Sequence, residues 1–163
     1  MLSDLKQVHE LVRKANEYYN SADHLTYVTY PLVKDLKLII TIVDSLYRSM
    51  EAGVNAVILY ERLYKRIDLV PESFSARLQI FQEKCMPNYG FSREHLLLIK
   101  DLKEIMAHRN ESPMEFVRKD KYIICSDDYN MKTITIDKIK NYLFQSKSFI
   151  IKLNNLFRNA GKF

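Results

Sequence analysis

Hydrophobic residues recur at helical spacing through most of the first two thirds of this chain. Leu5, Val8, Val12, Ala15, Tyr19, Ala22 and Thr29 keep near-heptad intervals. Beyond Pro31 a stricter series runs Leu32, Leu36, Ile39, Val43, Leu46, Met50, Gly53, Val57, Tyr60 and Tyr64. Such a stripe covers one face of a helix and needs a partner face to bury it. Two in succession predict long antiparallel helices packed as a bundle.

Three glycines and four prolines in 163 residues leave few breaks, which favours long helices over a many-stranded sheet. The length suits one domain with a sizeable core. We therefore expect a mainly α fold, an antiparallel bundle of four to five helices, with residues 1–163 as a single domain. Ser3 is placed to cap a first helix from about Asp4 to Val28, bent near Asn20-Ser21. Pro31 suits the first turn of a second helix reaching about Ile67, because its missing N–H falls where no partner exists. Leu38, Ile39, Ile40, Ile42 and Val43 are apolar on several sides and mark this helix as the most buried. Gly53 lies on its packed stripe, where it either admits a close neighbour or breaks the helix.

Asp68–Glu72, with Pro71, reads as a connector. Ser73 or Ser75 starts a shorter helix to about Lys84, ended by Met86-Pro87-Asn88-Tyr89-Gly90. Ser92 caps a helix from Arg93 to about Arg109 whose inner face is Leu96, Ile99, Leu102, Ile105 and Met106. The period then changes. Tyr122–Cys125 and Met131–Ile134 flank Ser126-Asp127-Asp128-Tyr129-Asn130, the pattern of one β-hairpin at about 121–135 before the last helix. Two strands alone are marginal in water, so the hairpin must lie on the bundle or pair with another chain's edge. Thr135 caps a last helix, about 136–159, that buries Ile139, Leu143, Phe149 or Ile150, Leu153 and Leu156, and Gly161 terminates it.

Cys85 and Cys125 belong to no CxxC pair, and no Cys/His cluster has zinc spacing. They read as buried free thiols of a reducing cytosol. The start of the chain is no secretory signal, and Leu36–Val43 is too short to span a bilayer, so the expected location is cytoplasmic, away from any membrane. No nucleotide-loop, zincin or hydrolase-elbow motif occurs, so no metal and no cofactor are expected. His9, His24 and His95 stand singly and are expected at the surface or half buried.

The net charge is +5, and residues 82–163 carry all of the excess, with fifteen basic and ten acidic residues. Such asymmetry marks either a polyanion-binding face or an ordinary solvated surface. The densest polar cluster is Glu104, His108, Arg109, Asn110 and Glu111. Glu104 and His108 are four apart on one helix face, so a carboxylate is placed to orient an imidazole as a general base. A helix C-terminus also favours a histidine for its dipole alone. Phe116-Val117-Arg118-Lys119-Asp120-Lys121-Tyr122 interleaves basic and aromatic residues, and Lys132 follows across the turn. Arg109, Arg118, Lys119, Lys121 and Lys132 are thus candidates for single-stranded nucleic acid, or a wet lysine face backing a buried aromatic one.

A capped first helix, a long Ala- and Leu-bearing second helix and a helix ending in Arg109-Asn110 resemble the HEPN superfamily, over roughly residues 3–110 plus the last helix. The resemblance implies a small helical bundle, a tendency to homodimerise, and either metal-independent RNase activity or a non-catalytic role. It places Arg109-Asn110 on the first half of that family's catalytic signature. The signature's histidine falls near Met114, Glu115 or Phe116, and no histidine follows His108, so the implied RNase site is incomplete.

Two classes of function follow. One is a non-catalytic interaction protein that self-associates, as a homodimer, and binds a protein partner. The other is an RNA-binding or RNA-cleaving HEPN-like protein with Arg109 on the phosphate, assisted by His108 or Glu104.

Overall fold

The computed structural model describes residues 2–111, 114–125 and 130–159. In chain order the elements are α1 (Leu2–His24), a π-turn (Leu25–Thr29), α2 (Tyr30–Val33), α3 (Leu38–Leu63) and α4 (Phe74–Ile80). A second π-turn (Phe81–Cys85), α5 (Met86–Tyr89), α6 (Arg93–Glu111), β1 (Met114–Arg118), β2 (Lys121–Cys125), β3 (Met131–Ile134) and α7 (Ile136–Asn159) complete them. The molecule is mainly helical, with an antiparallel sheet of order β1-β2-β3 inserted before the last helix.

Four long helices form the bundle, and side-chain contacts fix their directions. The Ser49 hydroxyl donates to the Ala15 carbonyl (2.6 Å), and Asn16 and Asn154 exchange amide hydrogen bonds (2.9 and 3.0 Å). Lys140 sits over the Tyr27 ring, so α1 runs antiparallel to α7 as well as to α3. His95 bonds Ser148, which sets α6 antiparallel to α7. Helices α3 and α7 are therefore parallel across the bundle's diagonal. Gly53 makes that diagonal tight: a Cβ there would stand 2.6 Å from Phe149 Cε1. Gly53 admits a neighbour and does not break the helix.

This up-down-up-down path puts the α1–α3 corner and the sheet at one end of the bundle. Helix α4 starts nearer that end, with Phe74 against Tyr47, and leads down the bundle; α5, the start of α1 and the end of α7 lie at the other.

Both π-turns have the same cause. A proline cannot donate to the carbonyl four residues back, and its ring collides with it. For Pro31 that carbonyl belongs to Tyr27 and for Pro87 to Glu83, each the middle residue of a π-turn. Widening the turn shifts the bonding one residue on, as in Tyr30 N–H to Leu25 O and Met86 N–H to Phe81 O. Each turn is followed by one four-residue helix with proline second, closed by a left-handed residue, Lys34 or Gly90.

The first helix therefore ends at His24, not near Val28, and Ser3 lies inside it rather than capping it. There is no break at Asn20-Ser21. The second long helix begins at Leu38 rather than Pro31 and ends at Leu63 rather than Ile67. Leu32, placed on the packed stripe by the periodicity, is 81% exposed, and the π-turn buries Thr26 in the position expected of Thr29. Met86–Tyr89 stays helical, and the stop falls at Gly90 alone.

Ser73 caps α4 through Ala76 N–H (3.2 Å), and Thr135 caps α7 through Lys138 N–H (3.2 Å). The expected hairpin is present as β2 and β3, with a third strand, β1, added to β2. Its turn at 126–129 and Gly161 lie outside the described residues. Cys85 and Cys125 are both buried and are not joined to each other.

Candidate functional site

Glu104, His108 and Arg109 occupy the last turns of α6, where the chain enters the sheet. Each finds its partner on a strand or at a strand's end. Glu104 pairs with Lys132 of β3 (3.1 Å), and His108 Nε2–H donates to the Asn130 carbonyl (3.0 Å). Arg109 Nε donates to Glu115 of β1 (3.0 Å), and the same carboxylate accepts from the Tyr122 hydroxyl. Burial and that carboxylate together raise the Tyr122 hydroxyl above its ordinary range.

The three side chains therefore clamp the sheet to the helix rather than facing one another. Glu104 lines a groove of about 600 Å³ with Ser75, Gln79, Glu83, Lys100 and Lys103. Arg109 lines a separate one of about 530 Å³ with Asp44, Tyr47, Arg48, Glu51 and Asn110. His108 lines neither.

Strand register divides the basic candidates as well. Glu115, Ile124 and Lys132 stand opposite one another, as do Val117, Tyr122 and Ile134. Ile124 and Ile134 are fully buried, so this side lies on the bundle and carries Lys132 with it. The outward side exposes Met114, Phe116, Arg118, Lys121 and Met131 around the buried Ile123 and Cys125. Arg118 pairs with Lys121 across the β1–β2 turn, where Lys119 takes a left-handed conformation (φ 58°). Arg118, Lys119 and Lys121 form one exposed basic tip, separate from Lys132 and Arg109.

The outward side of the sheet is unusually apolar. Met114 (57%) and Met131 (60%) are exposed on either side of β2. At the same end of the bundle the first corner exposes Tyr27, Val28, Leu32 and Val33, and the first half of α7 adds Phe144 at 76%. With Phe116 and Val117, nine of the thirteen exposed large hydrophobic residues described lie at this end. The described residues of segments 23–41 and 104–144, which build it, hold nine bases and seven acids. The chain's positive excess lies elsewhere: residues 145–163 carry four bases and no acid.

The sequence reading missed two buried polar groups. Glu61 is 3% exposed, among the apolar positions of α3. It accepts two bonds from Arg66 (2.9 and 3.1 Å) and one from the Tyr89 hydroxyl. Arg66 in turn lies over the Tyr60 and Tyr64 rings. Burial, reinforced by Glu61, pushes the Tyr89 hydroxyl and the Cys85 thiol each up to about 12. That leaves Cys85 a poor nucleophile.

His95 is 2% exposed rather than at the surface. Its Nδ1 accepts the Ser92 N–H (3.1 Å), so Nε2–H donates to Ser148 (3.0 Å). Phe91 and Phe149 meet its ring edge-on. The imidazole reaches back to the helix start as a capping-box glutamate does. A signal was available: His95 stands three residues after the capping serine.

Among the described residues no group of three or more His, Cys, Asp or Glu side chains is arranged to hold a metal ion. No described helix is long and apolar enough to cross a membrane. The chain matches no family model, no curated protein and no solved structure.

Proposed function

We propose that this protein is a non-catalytic interaction module that self-associates through the end of the bundle formed by the first corner and the sheet. The concentration of exposed apolar side chains at that end carries the reading. Exposed apolar side chains concentrated at one end of a folded domain mark a contact surface. The balance of charge argues for a second copy as the occupant. A symmetric contact sets a surface against itself, so a strongly charged face would repel itself, whereas one whose bases and acids nearly balance does so little.

Sedimentation velocity over a concentration series tests this. The wild type should form a dimer that Leu32→Glu and Phe116→Glu each weaken, while Lys84→Glu at the far end leaves it intact. A wild type that stays monomeric throughout, or a dimer indifferent to both variants, would overturn the proposal.

The exposed tip of Arg118, Lys119 and Lys121 favours a second reading, an RNA-binding protein of the HEPN type. Fluorescence anisotropy of labelled single-stranded RNA at two salt concentrations separates the two. Binding that falls steeply with salt and is lost in Lys119→Glu supports the RNA reading, and no binding at low salt ends it.

A further inference from the structure

At the opposite end of the bundle, α3, α5 and α7 enclose a cleft of about 490 Å³. Its wall holds one charged side chain, Lys152, with the amides of Asn88, Asn155 and Asn159 and the apolar faces of Leu156 and Tyr89. Among the described residues no carboxylate lines it. Glu61, behind Tyr89, is buried and engaged by that hydroxyl and Arg66. No described residue forms an ion pair with Lys152, which belongs to the acid-free stretch 145–163.

The helix dipole does not account for this lysine. Its favourable influence on cations is confined to the last turn, and Lys152 lies about two turns before Asn159. Its charge is felt inside the protein: after burial, Lys152 is what lowers the basicity of His95.

We propose that this cleft binds a small phosphomonoester, with Lys152 and the amide N–H groups of Asn155 and Asn159 on the phosphate oxygens. Three donor groups match three terminal oxygens, and an ammonium matches their charge. Asn88 already donates to the Lys84 carbonyl (2.9 Å), so its amide oxygen is left to accept from the ester's body. Leu156 and Tyr89 give that body an apolar wall. The volume falls in the range typical of small-ligand sites. The cleft lies at the far end from the proposed self-association surface and does not depend on it.

Calorimetric titration with phenyl phosphate, inorganic phosphate and phenol, together with NMR titration of the His95 imidazole, tests the assignment. Phenyl phosphate should bind more tightly than inorganic phosphate, and phenol should not bind. Bound phosphate should raise the His95 pKa by cancelling the field of Lys152. Lys152→Gln should weaken phenyl phosphate by about tenfold or more, the loss expected for a charged hydrogen bond. The exposed Asn155→Asp, which adds a negative charge to the wall, should do the same in a folded protein. Equal binding by phenol, affinity unchanged in both variants, or a His95 pKa that does not respond would each overturn the proposal.

Discussion

Two stretches of this chain share a backbone but not a setting. Leu25–Lys34 and Phe81–Gly90 each run as a π-turn, a four-residue helix with proline second, and a left-handed stop. The second is anchored. Phe81 and Cys85 are fully buried, the Phe81 ring meets Phe149, and Tyr89 reaches the buried Glu61. The first carries Tyr27, Val28, Leu32 and Val33 in solvent, and only Thr26 is buried, its hydroxyl bonded to the Ala22 carbonyl (2.8 Å). The backbone break is set locally by the proline. Whether the break becomes core or contact surface depends on what the rest of the fold places beside it.

The sharpest way to break this contrast is to remove the second corner's anchor. Glu61→Ala orphans the Tyr89 hydroxyl and the Arg66 guanidinium. Because Arg66 is half exposed and can turn to water, the cost falls mainly on Tyr89 and the vacated space, about 1–3 kcal/mol. Urea unfolding should show a lowered midpoint with an unchanged slope. A variant as stable as the wild type would mean that Glu61 does not hold this corner.

Gly53→Ala presses on the same corner from the diagonal. Alanine favours a helix over glycine by up to about 1 kcal/mol, but its methyl must displace Phe149, a fully buried ring packed against Phe81 and Phe91. Overpacking of this kind costs about 1–3 kcal/mol, so the variant should melt below the wild type. A higher melting temperature would show that the ring yields.

Acid should act on the segment that follows the second corner. His95 is held neutral: burial first, then Lys152, lower its pKa from the ordinary 6.5. The folded state therefore resists a proton that the unfolded chain accepts. Stability should be flat above about pH 6.5 with respect to this group and fall as pH drops below it. His95→Gln should flatten that part of the pH profile, and an unchanged slope would assign the effect to other groups. Leu32→Glu at the first corner is the smallest effect on the stability of the single chain, within about 0.5 kcal/mol by thermal melting at a concentration too dilute for self-association, since the side chain is 81% exposed there.

Legibility followed the range of the physics. Caps are local: Thr135 starts its helix where the sequence placed it, and of the two serines offered for α4, Ser73 and Ser75, the cap is Ser73. Stripes are regular, and Val8, Ala15 and Ala22 are all fully buried. The proline corners were misplaced because Pro31 is compatible with the first turn of a helix, and nothing nearby reveals that three more residues precede a stop at Lys34. Strand β1 escaped notice because every residue in it is exposed, so no alternation marks it. For the candidate site, the i, i+4 spacing of Glu104 and His108 was readable, but their partners on the strands lie more than twenty residues away. Glu61 sits in a run of core positions, where an acid implies a buried partner; Arg66 and Tyr89, its partners, come from two other segments.

Among the described residues, those in the left-handed conformation other than Gly90 are all lysines: Lys34, Lys65 and Lys119. Each is exposed, and each stands at a joint, between α2 and α3, just after α3, and at the β1–β2 turn. A protease that cuts after basic residues therefore meets its preferred side chain where the backbone departs from regular structure. Limited tryptic digestion would cut the molecule along its own architecture, separating the first helix and its corner from the rest before reaching the helices of the bundle.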